Sequence, residues 1–293
     1  MKNIICFGEV LWDVYRDKIE IGGAPFNVYH RLHSFGLDVN FISSVGKDKL
    51  GNNVINYFKK NNLNTNFLNV DKDYQTGQVL ITLKSGEPHY DILENVAWDY
   101  IPFKNDYLKD YNNFDCIVYG SLGIRNDLSY TTLKKLLSFS KFKIFDLNLR
   151  QNFYSESKVN FLLNQSDFLK INMEELLELG IIFKFKYTDV KTLIQSIYLK
   201  FNLKFICVTN GSINSSIYDG NNFFTIDCFK VKSIDNLGAG DNFLACFINE
   251  FFVKKNSIKN SLKIASAYGA ITTTKIGASA SIKPYEINKI LKK

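Results

Sequence analysis

Six short, mostly apolar stretches, at residues 4–7, 41–45, 116–119, 143–150, 168–175 and 204–209, constrain the fold of this chain more than any other feature. Each ends in glycine or polar residues. Continuous apolar runs of this length mark strands buried on both faces, which is how parallel sheets covered by helices read in sequence. Helical patterns follow several of them, through Val28, Leu32 and Phe35, through Val54, Ile55, Phe58 and Leu63, at residues 128–139 and at 157–163. The expected fold class is α/β with a mainly parallel sheet, and polar residues at the strand carboxyl ends should converge on one site.

Residues 75–99 break the series. Val79, Ile81 and Leu83 alternate with polar neighbours, a turn is expected at residues 84–87, and Tyr90 and Ile92 follow. The segment from Asp13 to Ile21 is the natural partner for this hairpin. Together the segments at about 10–24 and 75–100 should form a small sheet acting as a lid, with an edge that invites pairing with a second subunit. A second hairpin is expected at residues 215–226.

The 293 residues suffice for one large domain with a small appendage. A hydrophobic share of 46% against 22% charged argues against disorder. The net charge of +7 comes from scattered lysines without a basic block, so no nucleic-acid partner is expected. No apolar run approaches the roughly 20 residues that span a bilayer. Cys6, Cys116, Cys207, Cys228 and Cys246 form no Cys-x-x-Cys pair, which fits buried thiols in a reducing, cytoplasmic compartment. Neither Gly-x-Gly-x-x-Gly after the first strand nor Gly-x-x-x-x-Gly-Lys-Ser/Thr anywhere is present, so phosphate must be held in another way.

Residues 233–247 supply that way. Gly238 and Gly240 bracket Ala239, and Asp241 follows before Phe243, Leu244, Cys246 and Phe247 at helical spacing. A glycine turn opening a helix points backbone N–H groups at an anion. An acid at the mouth of such a hole suggests a base for a hydroxyl attacking phosphate. Asp241 as a plain capping residue is the other reading. Asp146, Asn148 and Arg150 alternate along a strand end, so all three should share one face; Asp146 and Arg150 as a structural ion pair is the alternative. Asn172 and Glu175 also fit a helix capping box.

Residues 235–241, Asp-Asn-Leu-Gly-Ala-Gly-Asp, resemble the second signature of the ribokinase-like (PfkB) carbohydrate kinases, with Asn236 where the family has Thr. Residues 8–13 and 22–30, and Ala97-Trp98-Asp99, resemble the fructokinase-like branch, and the motifs fall in family order from Gly8 to Gly277. The resemblance implies a ribokinase-like three-layer αβα fold over residues 1–293. It implies ATP-dependent phosphorylation of a primary hydroxyl, with fructose the favoured sugar, Mg2+ required and K+ a candidate activator. Asp241 would be the base, with Gly238, Ala239, Gly240 and Arg150 around the transferred phosphoryl group. Asp13, Gly22, Gly23, Asn27, Trp98 and Gly120 would serve the sugar. Asn172, Glu175, Thr209, Gly211, Gly238, Gly240, Ala267 and Gly277 would serve the nucleotide, with Glu175 reaching Mg2+ through water and Asp235 near a monovalent cation. Asn214 stands where the family has a glycine. A homodimer through the lid is implied. A kinase for another sugar, a sugar acid or a nucleoside is the main alternative, and a non-catalytic sugar-binding regulator the second.

Overall fold

The computed structural model describes residues 1–84, 87–108 and 113–292. Strand β1 (Ile4–Phe7) enters the core, β2 (Leu11–Val14) and β3 (Ile19–Gly22) leave it as a hairpin, and α1 (Ala24–Ser34) and β4 (Val39–Gly46) return to it. Helix α2 (Lys49–Lys60) and β5 (Leu68–Asp71) follow, then a second excursion through β6 (Gly77–Lys84) and β7 (Glu87–Ile92). Strand and helix then alternate: β8 (Phe114–Gly120), α3 (Asp127–Ser138), β9 (Ser140–Asp146), α4 (Glu156–Gln165), β10 (Phe168–Asn172), α5 (Met173–Ile182), α6 (Val190–Lys200) and β11 (Phe205–Asn210). The hairpin β12 (Asn214–Tyr218) and β13 (Phe223–Asp227) precedes α7 (Ala239–Phe247), α8 (Ile258–Thr273) and α9 (Pro284–Leu291).

The large sheet runs β13-β12-β11-β10-β9-β8-β1-β4-β5, parallel except for the β11–β12 and β12–β13 pairs. Successive side chains of a strand face opposite sides. Ile5 and Phe7 of β1 accordingly join Leu133, Leu162, Leu176 and Leu193 of α3 to α6. Ile4 and Cys6 join Val28, Val54, Phe243 and Leu262 of α1, α2, α7 and α8. Helices on both faces of one sheet make the three-layer fold expected from the apolar runs. Helix starts follow local chemistry, with Asp48, Asn126, Ser155 and Ser257 each accepting a first-turn N–H.

The two excursions meet in a small sheet, β3-β2-β6-β7, in which β2 and β6 run parallel while the outer pairs are antiparallel. The centre of the expected turn at residues 84–87, Ser85 and Gly86, lies outside the described residues. No helix among the described residues is long and apolar enough to cross a membrane.

Below the small sheet, the Arg125 guanidinium lies between the rings of Trp98 and Phe153, at 4.2 and 4.5 Å. It binds Asp99 through Nε at 2.6 Å and Nη2 at 2.8 Å, and both side chains are buried. Removing one partner of a buried pair strands the other charge, which costs about 3–5 kcal/mol, whereas an exposed pair contributes under about 1 kcal/mol. Urea denaturation should therefore show Arg125→Met destabilised by about 3–5 kcal/mol. Lys141→Met, which breaks the exposed pair with Asp115, should lose less than about 1 kcal/mol. Equal losses would contradict this ranking.

Candidate active site

Helix α7 starts from Gly238, whose φ of 72° is left-handed. A Cβ there would lie 2.2 Å from the Ala278 Cβ, so both backbone conformation and space require glycine. No side chain caps the helix. Asp241, in its first turn, instead accepts a 2.7 Å hydrogen bond from Asn27 Nδ2 on α1. Residues 238–241 are half-buried, so the N-terminal amides and the carboxylate share one open mouth.

Beside it, Lys170 of β10 lies opposite Asp146 of β9 in register and donates to both its carboxylate oxygens, at 2.9 and 3.1 Å. Both are buried. Lys170 Nζ sits 3.0 Å from where a Gly240 Cβ would be, beside the amides of the glycine turn. Burial lowers the Lys170 pKa, but Asp146, Glu175 and Asp241 outweigh it and raise it well above the ordinary value. Burial and the Asp146 charge push Asp241 up to about 6, against the opposing pull of Lys170, the Asn27 bond and Arg150. Arg150 is exposed and donates to the Leu149 carbonyl at 2.9 Å.

Asp13 of β2 lies buried under Gly22, where a Cβ would come within 2.4 Å of its Oδ2. Burial, then the charges of Asp235, Asp241 and Glu20, raise its pKa to about 7. Gly23, with φ of 112°, caps α1 where a Cβ would strike the Glu9 carbonyl at 2.3 Å. Glu9 Oε1 accepts from Ala24 N–H at 3.2 Å, and its Oε2 has no hydrogen-bond partner among the described residues. Burial raises the Glu9 pKa to about 7, although backbone hydrogen bonds oppose the shift. Gly120 ends β8 beside Asp146. Trp98 is fully buried against Gly77 and Arg125.

At the ends of β10 and β11, Asn172 and Thr209 are register neighbours. Asn172 and Glu175 form the capping box of α5, and Glu175 Oε1 also accepts from Leu149 N–H at 2.9 Å. Gly211 follows with φ of 51°. Asp235 accepts from Leu237 N–H at 2.9 Å and from Gly277 N–H at 3.0 Å, closing that loop. Ala267 is fully buried in the cluster of Ile287 and Ile290.

One local expectation fails. Asp146, Asn148 and Arg150 do not share a strand face, because β9 ends at Asp146 and Asn148 turns left-handed at φ 47°; Asp146 pairs with Lys170 rather than Arg150. Asn214, where the family has a glycine, opens β12 paired with Asn210. Lys170, Glu9, Arg31 and Asn242 are buried polar residues at this site that motif reading passed over. A lysine inside the apolar run at 168–171 was the available signal.

The family profile described as pfkB family carbohydrate kinase matches residues 1–284. The Arabidopsis thaliana protein named "Probable fructokinase-5" is 25% identical, over 99% of this chain and 97% of that protein. A fructokinase from Xylella fastidiosa with bound ATP superposes with a TM-score of 0.86 at 21% identity, over 99% of this chain and 98% of the other. A fructokinase from Vibrio cholerae O395 in a fructose, ADP and calcium ion bound form gives 0.84 at 19%, over 99% of both. The structural matches establish the ribokinase-like fold, and with its profile matched over nearly the whole chain, this protein belongs to the pfkB family of carbohydrate kinases.

Proposed function

We propose that this sugar kinase transfers the γ-phosphoryl group of ATP to a primary hydroxyl of a ketohexose, fructose being favoured, in the cytoplasm. The observation that carries this reading is the 2.7 Å bond from Asn27 to Asp241. It joins the segment that resembles a sugar site to an acid at the mouth of an uncapped helix N-terminus.

In this reading Asp13, Asn27, Gly22, Gly23 and Gly120 hold the sugar, and Trp98 supports the pocket from beneath. Asp241 accepts the hydroxyl proton while the amides of Gly238, Ala239 and Gly240 receive the phosphoryl oxygens. Lys170 and Arg150 supply positive charge to either side. Thr209, Gly211 and Gly277 flank the nucleotide, with Ala267 packing behind it. No group of three His, Cys, Asp or Glu occurs among the described residues that would cage a metal. That fits magnesium, which keeps its waters and rides on substrate phosphates. Asn172 and Glu175, with Glu175 already engaged by two backbone amides, would hold it through water, and its charge would neutralise the phosphates. Asp235 is the candidate for K+.

Residues at about 10–24 and 75–100 act as the lid of a single kinase domain, excluding water on closure. Ile19 and Tyr90, exposed on its edge strands, suit pairing with a second copy.

A coupled ATP assay across a sugar panel, with fructose turned over fastest, tests the reading. Turnover of another sugar alone would replace fructose, and sugar binding without turnover would favour the regulator. Asp241→Asn should reduce kcat by about 10²-fold or more, and wild-type turnover would remove the base assignment. The base works only when ionised. With Asp241 near 6 and Asp13 near 7 in the free protein, kcat/KM should rise from pH 5 and level off above about 8. A flat profile between pH 5 and 7 would contradict these assignments.

A further inference from the structure

Arg31 is 3% exposed. Among the described residues its hydrogen-bond partners are neutral: Nε donates to Asn242 Oδ1, and Nη2 donates to the Ala280 carbonyl at 2.7 Å. A buried cation without a matching anion is a costly way to hold two helices together, since apolar packing would do so at lower cost. Its placement supplies a reason. Arg31 lies one turn beyond Asn27 on α1, and Asn242 follows Asp241 on α7, so two successive polar links tie the helices together.

Asn242 carries the connection further. Its Nδ2 donates to the Gly238 carbonyl at 2.8 Å and to the Ala278 carbonyl at 2.9 Å. Gly238 is in turn pressed against Ala278 too closely for any side chain. The segment from Gly277 to Ala280 therefore bonds to the turn that opens α7 and, through Arg31, to the helix carrying Asn27. A shift of any one of the three segments strains the hydrogen bonds it shares with the others.

We propose that Arg31 and Asn242 are positioning residues that couple nucleotide binding at the 238–241 turn and the 277–280 segment to sugar binding at α1. This inference rests on the kinase reading above. Coupling between two sites is reciprocal, so ADP should tighten the sugar and the sugar should tighten ADP by the same factor.

The test is calorimetric titration of fructose with and without saturating ADP, and of ADP alone, in wild type, Arg31→Lys, Arg31→Met and Asn242→Leu, with thermal melts to verify folding. The wild type should show a coupling factor of about 5 or more. That factor should fall towards 1 in Arg31→Met and Asn242→Leu and be partly kept in Arg31→Lys. A purely structural role would weaken both ligands separately and leave the ratio unchanged, which would overturn the proposal. Hydrogen exchange with ADP alone supplies a readout independent of the sugar. ADP should slow exchange across α1 in wild type and not in Arg31→Met. Equal slowing in both, or none in wild type with ADP bound, would overturn the coupling. Failure of fructose to bind would strike the substrate assignment alone, and the exchange result would still decide the coupling.

Discussion

The contact between Asn27 and Asp241 carries the arrangement of this site. It bridges 214 positions of sequence and holds a carboxylate where a half-open helix N-terminus would otherwise attract any passing anion. A carboxylate free to swing would turn towards the positive end of its own helix, where first-turn acids are stabilised. Anchored from α1, it leaves the amides of the glycine turn to a ligand. The packing of α1 on α7, through Val28 and Leu32 against Phe243 and Phe247 within one core cluster, keeps that geometry in place.

Charge balance follows from the same enclosure. Glu9, Asp13, Asp146 and Asp241 crowd around the carboxyl ends of the sheet, and burial raises three of them towards neutrality. Lys170 offsets Asp146 directly and lies beside Gly240 of the glycine turn. In the proposed function, the acid serves hydroxyl groups on one side and the cationic and amide donors serve phosphate on the other, a separation that an in-line transfer requires.

How much of this could be read beforehand depended on distance along the chain. The parallel sheet, the two excursions that form the small sheet and the glycine turn with Asp241 were legible, because apolar runs, alternation and glycine spacing are local signals. The Asp146-Lys170 pair was not, since it depends on register between neighbouring strands. The left-handed turn at Asn148 was missed because alternation presumes that the strand continues, and nothing in residues 146–150 announces where it ends. Asn172 and Glu175 form a capping box, and the proposed function also gives them the outer shell of a hydrated magnesium. Arg31 and Asn242 were hidden because each resembles an ordinary polar residue on its own helix.

The most direct measurement is a crystal structure with fructose and a non-hydrolysable ATP analogue. The account predicts an Asp241 carboxylate oxygen about 2.6–3.2 Å from the primary hydroxyl, with the γ-phosphate on the amides of residues 238–240. A complex in which that hydroxyl meets a different acid, or in which the phosphate lies away from the glycine turn, would contradict it.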